Sequence, residues 1–188
     1  MGRIIVAQFI TLDGVIEDPD GSNGTTFGGW AFRHGRDAVA GDKFAYGPIL
    51  ETGMFLFGRR TWDYFSTFWP GRDDSFARAL NAADKAVATA SEVDLTRWHN
   101  SRLVDGEAVE WARSQAAHRD VVIVGSSSLV ETFVDADAVD EYRLRVFPTA
   151  AGEGRRLFRA TTRLTLESVE RMGPSVLTIL TRESSEEQ

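Results

Sequence analysis

The sequence predicts an α/β fold in three layers, with helices on both faces of a mixed, mostly parallel central sheet. Three observations lead to this prediction. Short, nearly continuous runs of β-branched and other apolar residues are typical of strands buried on both faces. Segments with helical periodicity alternate with these strands along the chain. Near the C-terminus, alternating apolar and polar residues flank a Gly-Pro pair, which predicts an antiparallel hairpin.

The first third of the chain contains two predicted strands separated by a long connection. Residues 4–10 form the first strand, and residues 54–57 form the second, which Gly58 closes. The connection over residues 12–35 is rich in glycine and aspartate, and its aromatic residues favour a loop that packs on the domain. These aromatic residues are Phe27, Trp30 and Phe32. A helix is predicted over residues 36–52.

The rest of the chain continues the alternation and then changes character. Helices are predicted over residues 61–69, 75–83, 107–118 and 129–134, and strands over residues 86–90, 121–124 and 142–147. Residues 164–169 and 176–180 form the closing hairpin around Gly173 and Pro174. We expect one domain over residues 1–182 and a flexible polar tail over residues 183–188.

The composition argues against several classes of site and partner. The chain has no cysteine, so no disulfide, thiolate nucleophile or Cys-bearing metal centre is expected. Its histidines, His34, His99 and His118, are too far apart in sequence for a local metal motif, and no metal is predicted. A net charge of -7 argues against a nucleic-acid partner. Without a membrane-length apolar run or a signal-peptide layout, we expect a soluble, cytoplasmic protein with no membrane partner.

Two turns that follow predicted strands have the chemistry of an anion site. Gly58, Arg59, Arg60 and Thr61 open a helix, where arginines are unfavourable unless an anion lies among them. The alternative is that both arginines point to solvent or pair with carboxylates. The second turn, residues 125–128, permits close approach of a ligand or is an ordinary serine N-cap. Two such turns on neighbouring strand ends suit one multiply phosphorylated ligand, and we predict a dinucleotide.

Four motifs stand in the order and spacing of a known family. They are FITLDGV at residues 9–15, FGRRTW at 57–62, VGSSSLV at 124–130 and VDEYRL at 139–144. Over nearly its whole length, the chain resembles the dihydrofolate reductase-like proteins related to the reductase domain of the bifunctional riboflavin-biosynthesis deaminase/reductase. The resemblance implies a dihydrofolate reductase-like fold and NADPH as cofactor.

The resemblance also implies where the parts of the cofactor would lie. Its 2′-phosphate and pyrophosphate region would contact the Gly58–Thr61 turn, with Thr89 on the adenosine side. The nicotinamide would lie along the strand end from Ala7 to Asp13. Many relatives carry an arginine directly after the residue matching Thr89, whereas this chain has Ala90, which bears on the preference for NADP over NAD. The pyrophosphate and nicotinamide ribose would be covered by Gly125, Ser126, Ser127, Ser128 and Leu129.

A reduced C=N or C=O group needs a proton, which a side chain or water supplies. Asp13 is the acid best placed by motif, although it serves equally well as an Asx turn that braces the long loop. Asp42 lies in roughly the region where dihydrofolate reductases carry a carboxylate on a helix. Trp30 and Phe32 either cover a flat substrate or anchor the loop to the core.

These observations predict an NADPH-dependent reductase that transfers a hydride to a small, flat heterocyclic or carbonyl substrate, such as a pterin, a pyrimidine or a riboflavin precursor. The alternative is a non-catalytic NADP(H)-binding or sensor protein on the same fold. A third hypothesis is an interaction module with an empty pocket. Relatives are often dimers, and the predicted strand over residues 142–147 offers a self-complementary face for a homodimer.

Overall fold

The computed structural model describes residues 1–183 and arranges eight strands in one sheet. The order across the sheet is β4-β3-β2-β5-β1-β6-β8-β7. All neighbours from β4 to β6 are parallel, and β8 runs antiparallel to both β6 and β7. The strands are β1 (Ile4–Thr11), β2 (Met54–Gly58), β3 (Asp84–Ala88), β4 (Ser101–Leu103), β5 (Val121–Gly125), β6 (Glu141–Phe147), β7 (Leu164–Met172) and β8 (Ser175–Arg182). This confirms the predicted fold class, including the C-terminal hairpin.

Helices pack on both faces of the sheet. They are α1 (Ile49–Thr52), α2 (Arg59–Phe68), α3 (Ser75–Ala82), α4 (Ala108–Ala116) and α5 (Ser127–Asp135). One apolar core joins β1 residues such as Val6 to Ala112 of α4 and Phe133 of α5. The other core joins Ile5 and Ala7 to the helices α1, α2 and α3. Because successive side chains of β1 point to opposite faces, both faces of this central strand are buried.

The predicted helix over residues 36–52 is wrong. Only a short 3-10 turn (Arg36–Ala38) and α1 lie in this range, and a loop connects them. Gly41 and Gly47 adopt positive φ values of 73° and 51°, which break a right-handed helix. Contacts with β6 hold the loop instead, since Arg143 donates hydrogen bonds to the carbonyl oxygens of Phe44 and Ala45.

Several other boundaries differ from the predictions. Strand β3 ends at Ala88 and not at Ala90, and β4 was not predicted because it has only three residues. Both edges of β6 are paired, with β1 and β8, so this strand has no free edge to offer a second copy. The homodimer stays a prediction. Residues 184–188 of the predicted tail lie outside the described residues.

Candidate functional site

The two predicted turns lie side by side at the carboxyl ends of neighbouring strands. Strands β2 and β5 pair with each other, and Phe57 lies opposite Gly125 in the register. A Cβ added at Gly58 would lie 2.6 Å from Ser126 Oγ, and one added at Gly125 would lie 3.0 Å from Thr61 Oγ1. The first turn therefore packs directly against the second, and glycine is what permits this approach. The peptide between Gly125 and Ser126 is cis.

Both turns leave a helix N-terminus without a side-chain cap. Gly58 is the N-cap of α2 and Ser126 the N-cap of α5, and within residues 1–183 neither helix has a capping side chain. The Ser126 hydroxyl instead lies 2.9 Å from that of Ser128. By contrast, Asp74 caps α3 by accepting a hydrogen bond from Ala77 N at 3.0 Å. Two uncapped N-termini at one place, with neighbouring serine hydroxyls, form a favourable environment for an anion.

The remaining residues of the second turn enter α5. Ser127 is the first residue of the helix and is half-buried, as is the Ser126 side chain before it. Leu129 is buried in the core between α5 and the sheet. The serine hydroxyls therefore lie near the surface of the turn, and the buried Leu129 side chain anchors α5 to the core.

The two arginines of the first turn have different surroundings. The Arg59 Nε donates to Asp63 Oδ2 at 2.6 Å, and its NH1 donates to Ser91 Oγ at 3.1 Å and to the Glu92 carbonyl. Arg59 thus ties α2 to the loop that follows β3. Arg60 is exposed on the first turn of the helix. Pairing with a carboxylate, which the sequence left open as an alternative, therefore holds for Arg59.

A pocket of about 250 Å³ lies beyond the ends of β3 and β4. Thr89, predicted on the adenosine side, is among its lining residues, together with Ala88, Ala90, Val104, Gly106, Glu107 and Ala108. The Thr89 hydroxyl lies 3.1 Å from that of Ser91, the residue that also contacts Arg59. The pocket is smaller than the roughly 300–1,000 Å³ of drug-sized ligand sites, and its walls are mostly small apolar residues.

The end of β1, predicted to line a nicotinamide, lies next to the second turn. Ala7 is buried, and the side chain of Gln8 crosses to β5, where Nε2 donates to the Val124 carbonyl at 2.9 Å. Phe9 stacks on Phe44 with ring centroids 5.2 Å apart. Gln8 falls within the predicted Ala7–Asp13 segment, but its bracing role was not predicted: it fixes the spacing between β1 and the turn at the end of β5.

Asp13 braces the loop that follows β1. Its carboxylate accepts hydrogen bonds from Thr11 Oγ1 at 2.6 Å, Ala151 N at 3.0 Å and Gly152 N at 2.7 Å. The hydroxyl and the two backbone N–H groups lower the pKa of Asp13 to about 2. A carboxylate so engaged is a poor proton donor near neutral pH. The geometry favours the bracing role over the catalytic one.

We expect Asp13→Asn to lower the free energy of unfolding by about 1 kcal/mol at neutral pH, because a neutral amide replaces a charged acceptor. The folded-state pKa lies below the ordinary value of 3.8, so this stabilisation is present above that pH and is lost as the pH falls toward 2. Urea unfolding at several pH values checks this. A stability difference from wild type that stays constant between pH 5 and pH 2 would contradict the bracing role.

The other predicted site residues have separate places. Asp42 accepts hydrogen bonds from Tyr46 N at 2.8 Å and Gly47 N at 3.0 Å, so it closes the loop that replaces the predicted helix. Trp30 is fully buried and donates from Nε1 to the Glu17 carbonyl at 2.9 Å, which favours the anchoring role. Phe32 is 44% exposed. The catalytic and substrate roles of these residues stay predictions.

Neither a membrane-spanning helix nor a metal-binding cluster occurs among the described residues. Among the described residues, every helix is too short or too polar to cross a membrane. The same part of the chain holds no group of three or more His, Asp or Glu side chains placed to bind a metal ion.

Comparison with known proteins gives the following similarities. A family model described as the RibD C-terminal domain matches residues 3–178. The uncharacterized protein YyaP of Bacillus subtilis is 26% identical over 166 residues, which cover 83% of this chain and 80% of that protein. A solved structure of a Shewanella sp. PV-4 protein assigned to riboflavin biosynthesis gives a TM-score of 0.71 at 20% identity. The match covers 97% of this chain and 99% of that chain.

Two further solved structures share the fold. Acinetobacter baumannii RibD gives a TM-score of 0.65 at 16% identity, and the match covers 98% of this chain and 59% of that chain. A pyrimidine reductase-like protein from Corynebacterium diphtheriae gives 0.64 at 11% identity, covering 98% of this chain and 93% of that chain. At these identities, the likeness establishes the fold alone.

Proposed function

Because the chain belongs to the family of the RibD C-terminal domain, we propose that it is an NADPH-dependent reductase of a small, flat heterocyclic or carbonyl substrate. One observation carries the proposal: the Gly58 and Gly125 turns touch, and each leaves an uncapped helix N-terminus at the same edge of the sheet. Phosphate groups bind at such N-termini because backbone N–H groups and the helix dipole both favour negative charge.

The residues present fit a dinucleotide phosphate. Backbone N–H groups at the starts of α2 and α5, together with the Ser126 and Ser128 hydroxyls, would hold the pyrophosphate. Arg59 and Thr89 would lie beside the adenosine 2′-phosphate, and the pocket beyond β3 would take the base. The end of β1 would lie along the nicotinamide. When bound, NADPH supplies the hydride.

The protein itself would contribute the positions of the reacting groups. The buried end of β1, spaced from the second turn by Gln8, would form one flat wall for the reacting rings. Both candidate acids, Asp13 and Asp42, already accept hydrogen bonds from backbone N–H groups. We therefore propose water as the proton source for the reduced substrate.

Titration with NADPH, followed by quenching of tryptophan fluorescence and by energy transfer to the cofactor, tests the proposal. We expect saturable binding in the micromolar range, and oxidation of bound NADPH when a substrate from a panel of pterins, pyrimidines and aldehydes is added. Saturation must also be seen with the oxidised cofactor, which shares the phosphates. If neither form saturates at millimolar concentration, the proposal fails.

Arg59→Ala is expected to weaken NADPH binding about tenfold and NADH binding less than about threefold. A guanidinium beside Ser91 and Thr89 interacts with the 2′-phosphate, which NADH lacks. Dissociation constants measured for both cofactors at one ionic strength check the prediction. Arg78→Ala on α3 is the matched control because, among the described residues, the Arg78 guanidinium donates a hydrogen bond to the Asp73 carbonyl and forms no ion pair. Equal losses for both cofactors would refute the 2′-phosphate assignment.

A non-catalytic NADP(H)-binding protein is the second candidate, and the engaged state of Asp13 and Asp42 favours it. On this alternative, the cofactor binds but stays reduced with every substrate of the panel. Single-turnover mixing of the NADPH complex with each compound, monitored by the loss of nicotinamide absorbance, separates the two candidates.

A further inference from the structure

The carboxylate of Asp63 on α2 accepts hydrogen bonds from two arginines, Arg59 and Arg97. Asp63 Oδ2 accepts from Arg59 Nε at 2.6 Å, and Asp63 Oδ1 accepts from Arg97 NH1 at 3.1 Å. Arg97 also donates from NH2 to the Asp63 carbonyl at 3.0 Å, and its guanidinium lies 5.4 Å from the Trp62 ring centroid. Arg97 is therefore held in place on three sides although it lies 34 residues from Asp63 in the chain.

The charges of this cluster matter for a dianionic ligand. Arg59 and Asp63 alone form a neutral pair, which has no net attraction for phosphate. With Arg97 included, these three side chains carry one net positive charge next to the Ser91 hydroxyl. The Asp94 carboxylate, which caps the 3-10 turn ending at Arg97, also interacts with Arg97, so the loss of Arg97 would leave the surroundings of Arg59 more negative still. In a partly exposed site, a full charge a few ångströms away changes a phosphate interaction considerably.

We propose that Arg97 determines the preference for NADPH over NADH by neutralising Asp63, which leaves the charge of Arg59 available for the 2′-phosphate. The inference rests on the proposed function. Arg97 is a positioning residue, because it acts through Asp63 and Arg59 and need not contact the cofactor. It also explains how a chain with Ala90 in the loop after β3 retains enough positive charge for a 2′-phosphate.

A purely structural role for this ion pair makes different predictions. Both side chains of the Arg97–Asp63 pair are 35% exposed, and ion pairs of such exposure contribute little to stability. A structural pair that merely fixed the loop after β3 would affect every dinucleotide alike. Only the electrostatic role makes the effect depend on the 2′-phosphate and on the charge of residue 63.

Dissociation constants for NADPH and NADH, measured for four variants of the full chain, test the inference. Arg97→Gln is expected to weaken NADPH about tenfold at low salt and NADH less than about twofold. Arg97→Lys keeps the charge and should stay within about threefold of wild type for NADPH.

In the double variant Asp63→Asn with Arg97→Gln, the net charge returns to that of wild type, and we expect NADPH affinity to recover to within about threefold. Arg119→Gln is the matched control because Arg119 pairs with Asp84, the first residue of β3, whereas the candidate site lies at the carboxyl ends of the strands.

The outcomes separate this inference from the proposed function. If wild-type protein binds neither cofactor, the proposed function fails. If wild type binds NADPH but Arg97→Gln weakens both cofactors equally, or Asp63→Asn does not rescue it, the inference is overturned and the proposed function stands. Thermal melting of each variant, carried out without cofactor, shows whether a loss of affinity comes from unfolding.

Discussion

Gly58→Ala is expected to weaken NADPH binding about a hundredfold while the protein stays folded. The new Cβ would lie 2.6 Å from Ser126 Oγ and 2.9 Å from Ser126 N, and the second of these is a backbone atom that cannot rotate away. The two turns would have to separate. In the proposed complex both helix N-termini hold the same pyrophosphate, so separating the turns would remove one or two hydrogen bonds to a charged group. Together these bonds are worth about 3 kcal/mol, which corresponds to about a hundredfold in affinity.

Fluorescence titration with NADPH measures this loss, and a thermal melt measures the accompanying change in stability. Gly71→Ala is the matched control, because a Cβ at Gly71 meets nothing within 4 Å and its backbone does not need a positive φ. We expect the control to bind NADPH with unchanged affinity. Wild-type affinity in a well-folded Gly58→Ala variant would show that the contact between the turns is unnecessary for binding the cofactor.

The parts of the fold that could be predicted are those whose signal is local. Strands β1, β2 and β5 consist almost wholly of buried apolar residues, and each ends at a polar residue or a glycine. A strand that ends in glycine before a helix places backbone N–H groups at the sheet edge, whatever the rest of the chain does. The position of both turns, each at a strand end and at a helix N-terminus, therefore followed from short stretches of sequence, and their binding of an anion stays a prediction.

The loop between Arg36 and α1 could not be predicted in the same way. Its apolar residues have helical spacing, but contacts made about 100 residues away in sequence decide its course. Arg143 and Arg145 on β6 look like the exposed positions of an alternating strand, yet both are buried and donate to the carbonyl oxygens of this loop. Periodicity in the sequence shows which side chains of a strand point to the same face. It does not show whether another segment of the chain covers that face.

Candidate site residues were missed for a related reason. Asp63, Ser91 and Arg97 belong to three different segments, and only the parallel pairing of β2 with β3 brings these segments together. Each residue alone is an ordinary surface group. A signal in the sequence does exist, since Asp63 stands four residues after Arg59, the spacing at which opposite charges pair on a helix.

Trp30→Ala is expected to lower the free energy of unfolding by about 3–5 kcal/mol, the range for removing a large aromatic side chain from a packed core. Trp30 is fully buried, its ring centroid lies 5.9 Å from that of Phe147, and Nε1 donates to the Glu17 carbonyl. The substitution removes this packing and the hydrogen bond to the Glu17 carbonyl. Urea unfolding, followed by circular dichroism, measures the loss.

Phe32, two residues after Trp30, serves as the comparison for the Trp30→Ala variant. Phe32 is 44% exposed, so Phe32→Ala should change stability by less than about 0.5 kcal/mol. If Trp30 covered a substrate and did not anchor the loop, Trp30→Ala would reduce turnover with little loss of stability. If Phe32 contacts the substrate, Phe32→Ala raises KM and leaves the unfolding curve unchanged. The two variants thus separate the anchoring of the loop from the recognition of substrate.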